Sequence, residues 1–114
     1  MKSIEQLQEF CKSLKATTVD VKWESNLVFS VFNKMYCMYG LENGTISFKV
    51  PPEEWSEYVS TTGIIPAPYL AKNGWVRCNR LDLLKKQDLE RSIRTSYRMV
   101  VERLPKKIQN QLFT

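Results

Sequence analysis

The chain has 114 residues, 43% of them hydrophobic, with three cysteines, no histidine and a formal charge of +5. That length supports one domain with its own core and no need of staples. The missing imidazole excludes every Ser-His, Cys-His or His-ligated metal arrangement, and most common hydrolases with them.

Cys11, Cys37 and Cys78 form an odd, widely spaced set without a Cys-x-x-Cys pair. Reduced thiols in or near the core are expected, rather than a disulfide framework or a thiolate zinc site. No apolar run approaches the ~20 residues of a membrane span. The start, Met1-Lys2-Ser3-Ile4-Glu5, reads as an amphipathic helix and not as a signal peptide, so a cytoplasmic protein is expected. The charge is lopsided: residues 1–69 hold six Lys/Arg against eight Asp/Glu, whereas residues 70–114 hold eleven against four. A one-sided positive field favours anionic partners, nucleic acid first and a membrane surface second; a well-solvated face is the plainer alternative.

Ser3 followed three residues later by Gln6 reads as a capping box. Ile4, Leu7, Phe10, Cys11 and Leu14 then recur at helical spacing, which predicts a helix over 4–15. Val19, Val21 and Trp23 alternate with Asp20 and Lys22, predicting a strand over 17–23 with the first set buried. Strands at 27–32 and 35–41 are separated by Asn33-Lys34, which predicts a tight hairpin there. Asn43-Gly44 predicts a second, type I′ hairpin into Ile46–Val50, with Leu41 opposite Ile46 and Tyr39 opposite Phe48. That register puts Met35, Cys37 and Tyr39 on one face and Tyr36 and Met38 on the other. The middle strand then needs cover on both faces or exposes an aromatic patch.

Pro51-Pro52-Glu53-Glu54 predicts a helix start, with Trp55, Tyr58 and Val59 facing inward. From Gly63 to Val76 two prolines two apart rule out regular helix and central strand, which predicts a shaped loop packed on the surface. A strand over 75–81 follows. Asp88 is the expected cap of a last helix over 89–104, with Leu89, Ile93, Tyr97, Val100 and Leu104 inward, and Pro105 stops it. The tail from Lys106 to Thr114 reads equally as frayed or docked. Helix, four strands, helix, loop, strand, helix is an α+β order around an antiparallel sheet in one compact domain, residues 1–114.

On the last helix Arg91, Arg94 and Arg98 share the solvent-facing stripe, and Lys106 and Lys107 extend it past the helix end. Those five are the candidate phosphate contacts; an ordinary solvated helix surface, with Glu90 and Glu102 as local partners, is the plainer alternative. Tyr69, Lys72 and Trp75 offer two aromatic planes, a hydroxyl and an ammonium, enough to stack a base or a planar ligand, or simply to anchor the loop. The hairpin tips at Asn33-Lys34 and Asn43-Gly44 have the form of wings, although Glu42 beside the second is wrong for phosphate. Glu53, Glu54 and Glu57 at a helix N-terminus are ordinary carboxylates, and Cys37 and Cys78 lack a base. No catalytic residue, metal ligand or cofactor is expected.

The set Pro66-Ala67-Pro68-Tyr69-Leu70-Ala71-Lys72 with Trp75-Val76, Ser96-Tyr97, Val100-Val101 and Leu104-Pro105-Lys106-Lys107 resembles the MmcQ/YjbR family over nearly the whole chain. The resemblance extends to Leu27-Val28-Phe29, Lys34-Met35 and Pro52-Glu53. It implies a compact α+β fold described as a double wing, likened to the bacterial frataxin homologue, and a DNA-binding role. Relatives often carry arginine where Lys72 stands, and some carry a histidine-containing loop in place of residues 69–75. The family implies no catalytic residues. A nucleic-acid-binding monomer with double-stranded DNA as partner and no membrane is therefore the leading expectation. A non-catalytic protein or small-ligand interaction module is the alternative.

Overall fold

A computed structural model describes residues 1–113. In chain order the elements are α1 (Ile4–Lys12), β1 (Thr17–Lys22), β2 (Asn26–Val31), β3 (Lys34–Gly40), β4 (Ile46–Lys49), a 3-10 turn (Pro52–Glu54) running into α2 (Trp55–Val59), β5 (Ile64–Pro66), β6 (Trp75–Cys78), α3 (Lys86–Glu102) and α4 (Lys106–Leu112). The fold is α+β: one six-stranded sheet in the order β1-β2-β3-β4-β6-β5, every pair antiparallel. One core joins sheet and helices, with Phe29, Tyr36 and Phe48 from the sheet meeting Leu7, Ile93 and Leu112. The three cysteines are free and buried; burial raises the Cys37 thiol and pushes the Cys78 thiol up to about 12, which disfavours their reactive thiolates. Among the described residues no helix is long and apolar enough to cross a membrane.

Half of the expected capping box forms, with Ser3 Oγ accepting from the Gln6 amide, while Gln6 Oε1 reaches past the Ser3 amide to accept from that of Lys2. The helix stops at Lys12, three residues before the expected end, because the Ser13 hydroxyl takes the Phe10 carbonyl and Ala16 turns left-handed. The tail docks as α4 and buries Leu112; Thr114 lies outside the described residues.

The hairpins depart from expectation by small steps. Phe32 and Asn33, both at positive φ, form the first turn and pair Val31 with Lys34, one residue earlier than Asn33-Lys34 would. The Asn43-Gly44 connection is four residues long. Gly40 and Thr45 close it because Gly40 has no Cβ, and a Cβ there would lie 2.8 Å from Thr45 Oγ1. Tyr39 therefore faces Ile46 and Cys37 faces Phe48, a shift of two that leaves the faces unchanged. Val21 and Trp23, expected inside, are exposed, since β1 is an edge strand and only Val19 packs on the core. Ile64–Pro66, expected as loop, adds the other edge, where the proline's missing N–H costs little.

A bulge resolves the doubly apolar β3. Phe29 pairs with Cys37 and Ser30 with Met35, so Tyr36 is the extra residue and turns into the helix-covered core beside Cys37. There its ring meets Tyr97 edge-on at 5.2 Å and its hydroxyl bonds Thr17 and the Cys11 carbonyl. Met38 pairs with Val28 and both are buried, leaving no aromatic patch.

α3 begins three residues before the expected start, with the Leu89 amide already bonded to the Lys85 carbonyl, so Asp88 lies inside the first turn and caps nothing. Its buried side includes Ser96, fully enclosed. The Ser96 hydroxyl donates to the Tyr36 carbonyl at 2.6 Å and accepts from the Lys49 amide at 3.0 Å. It thus bridges β3 and β4 where the bulge has taken Tyr36 out of the ladder. Ser96→Ala strands both backbone groups and is expected to cost about 2–3 kcal/mol. A urea titration should show the lower midpoint at unchanged slope; a midpoint equal to the parent's would mean the two groups find other partners.

Candidate nucleic-acid interface

The five expected phosphate contacts are all exposed, but they do not form one free track. Arg91 is paired with Asp88 at 3.1 Å, one turn back on the same helix. Arg94 lies over the Phe10 ring of α1, 5.4 Å from its centroid. Arg98 reaches Thr95 and shares a shallow hollow with Glu102. Lys106 and Lys107 open α4 as a separate helix rather than extending α3. The loop residues are likewise divided: Trp75 is buried at 4% exposure, Tyr69 is 98% exposed, and Lys72 lines a groove.

That groove is where positive charge converges. Two adjoining hollows of about 560 and 580 Å³ share Lys49, Asn73 and Arg103. One adds Lys72, Trp55 and Met99; the other adds Asn33, Lys34 and Leu104. Four cations line it and no carboxylate does. Each comes from a different element. Lys34 opens β3 after the turn, Lys49 ends β4, Lys72 sits in a single 3-10 turn over 71–73, and Arg103 caps the C-terminus of α3. Gly74, at φ +84, ends that turn and lets the chain enter β6 against Val50, whose amide bonds the Gly74 carbonyl at 2.9 Å.

The Lys49 ammonium is held below the ordinary lysine range, first by partial burial and then by the Arg103 guanidinium. Two like charges facing one hollow favour an anion between them, and the amides of Asn33 and Asn73 add donors for its oxygens. Of the loop expectation the groove takes up Lys72 and Trp75; Lys49 and Arg103 were not among the residues singled out from the sequence. Strand parity after Phe48 does turn Lys49 away from the core, which is the one local signal that could have found it.

An antiparallel α+β domain with a cationic groove at one end of its sheet is the class these features define. The YjbR family model matches residues 12–99, and the chain belongs to the YjbR family. Among solved structures it is similar to that of the Deinococcus radiodurans protein DR2400, described as a DUF419 domain. The two share 24% identity at a TM-score of 0.88, over 98% of this chain and 88% of that one. A Pseudomonas syringae protein structure is similar at 21% identity and a TM-score of 0.71, over 86% of this chain and 98% of that one. At these identities the likeness is one of fold. No curated protein matches the chain.

Arg103→Ala is expected to raise the Lys49 pKa toward the ordinary value without fully restoring it, because burial, the larger cause, remains. An NMR titration of the lysine ε-methylene signals measures this; an unmoved pKa would show that the two cations do not share the groove.

Proposed function

We propose that the chain is a nucleic-acid-binding module whose phosphate contacts centre on Lys34, Lys49, Lys72 and Arg103. The observation that carries this reading is the convergence of four cations on one concave surface that no carboxylate lines. Arg98, Lys106 and Lys107 widen the positive field outside the groove, and Arg91 and Arg94, already engaged by Asp88 and Phe10, contribute least. Four cations and the Asn33 and Asn73 side-chain amides supply donors for phosphate oxygens, and they are set among apolar residues such as Trp55, Met99 and Leu104. The function calls for no catalytic group.

Neutralising four phosphates gives a salt slope of about −3.6 on duplex and about −2.8 on single strands. A fourfold rise in salt then weakens duplex binding about 150-fold and single-strand binding about 50-fold. Fluorescence anisotropy with labelled DNA of both kinds at low and moderate salt tests this, and Arg103→Ala should make the duplex slope shallower by about 0.9. Absence of binding at low salt, or binding indifferent to salt, would remove the proposal.

A further inference from the structure

Two aromatic residues adjoin groove-lining residues in the chain, in turns that do not call for them. Ala67-Pro68-Tyr69-Leu70 is closed by the Leu70 amide on the Ala67 carbonyl at 3.1 Å, with Pro68 second and Tyr69 third at φ +66. That is the pattern of a type II turn, whose third position favours glycine. Phe32, at φ +47, opens the turn from β2 to β3, where asparagine, aspartate or glycine is preferred. Both sit next to groove residues: Leu70 follows Tyr69, and Asn33 and Lys34 follow Phe32.

The Tyr69 ring is not needed to hold its turn. The loop from Ala67 to Trp75 is tied by main-chain bonds, Ala67 amide to Trp75 carbonyl and Trp75 amide to Leu70 carbonyl among them, and Trp75 is its buried anchor. Tyr69 is 98% exposed and, among the described residues, its hydroxyl bonds no protein group; Phe32 is 40% exposed. Trp23 is also exposed at positive φ, but it lies at the opposite end of the sheet, between β1 and β2, away from the cations.

Resting on the nucleic-acid reading above, we infer that Tyr69 and Phe32 are stacking platforms for unpaired bases, so that the groove takes single-stranded nucleic acid in preference to duplex. Four cations follow the phosphates while the rings meet bases whose faces are free. In a duplex those faces are stacked on one another and closed to a ring on a short turn. A stacked base on each ring is worth more than any hydrogen bond the tyrosine hydroxyl adds, and stacking tolerates any sequence.

The turn chemistry supplies a variant that spares the fold. Tyr69→Gly installs a residue suited to positive φ at a fully exposed site, so its melting temperature is expected to stay within about 4 °C of the parent. The probe is a short single strand carrying 2-aminopurine, with the duplex of the same sequence for comparison. The parent should bind the single strand more tightly and quench the 2-aminopurine by stacking. Tyr69→Gly should weaken that binding about tenfold and abolish most of the quenching, with duplex affinity within about twofold; Tyr69→Phe should retain both. If the parent binds strand and duplex with the expected salt slopes but Tyr69→Gly changes neither affinity nor quenching, the stacking role is wrong and the cationic groove stands. If the parent binds neither at low salt, the nucleic-acid reading fails and this inference with it.

Discussion

The arrangement depends on one buried hydroxyl. Ser96 reaches from α3 into the gap between β3 and β4, takes the Tyr36 carbonyl and receives the Lys49 amide, and so substitutes a helix side chain for a missing rung of the sheet. A bulge normally leaves backbone groups that water must satisfy. Here one hydroxyl satisfies the Tyr36 carbonyl and the Lys49 amide together, and those two hydrogen bonds fix the rotation of α3 about its axis. One residue on, the Tyr97 hydroxyl donates to the Lys15 carbonyl at 2.6 Å and ties the same helix to the connection between α1 and β1. The Ser96-Tyr97 pair is therefore a docking device for the helix, which gives this stretch of the family pattern a structural reason.

That docking builds the groove. The Lys49 amide is bonded to Ser96 while its side chain leaves the other way, toward Asn73 and Arg103. Arg103 follows seven residues after Ser96, two helical turns along, and caps the helix whose phase Ser96 fixes. Lys49 and Arg103 face the same hollow, and the Lys49 ammonium is held below the ordinary lysine range first by partial burial and then by the Arg103 charge. Cations of the α3 stripe behave differently because they have neighbours. Asp88, Phe10 and Glu102 each engage or dilute one of them, which is what a solvated helix face does with its charges.

The parts of the fold legible in the sequence are those decided by residues near one another. Ser3 and Gln6 announce α1, and the alternation at Phe48 and Val50 sets the inner face of β4; Pro66 rules out a central strand, but the edge strand it joins was expected as loop. What escaped was decided at a distance. Nothing near Tyr36 signals a bulge, because its compensation lies sixty residues away in Ser96. The Phe32-Asn33 turn was displaced by one because phenylalanine is an improbable first residue for such a turn, and the β3–β4 loop by two because Gly40 and Thr45 approach too closely for a shorter connection. The groove was harder still: its four cations come from four elements, and no window of sequence contains more than one of them.

Local rules are broken together at this end of the sheet. Like charges converge without an acid, and two aromatic rings occupy turn positions that glycine or asparagine would fill with less strain. Other left-handed residues are present, at Ala16, Trp23, Glu24 and Asn33, so backbone conformation alone distinguishes nothing. The conjunction does, because strain, exposure and unneutralised charge are each tolerated at the surface singly but are mutually unhelpful to folding when placed side by side. A chain selected only for stability would relieve any one of them with a single substitution. On the proposed reading the cations would meet phosphates and the two rings unpaired bases, so the features that cost the free protein are the ones a bound strand would neutralise and cover.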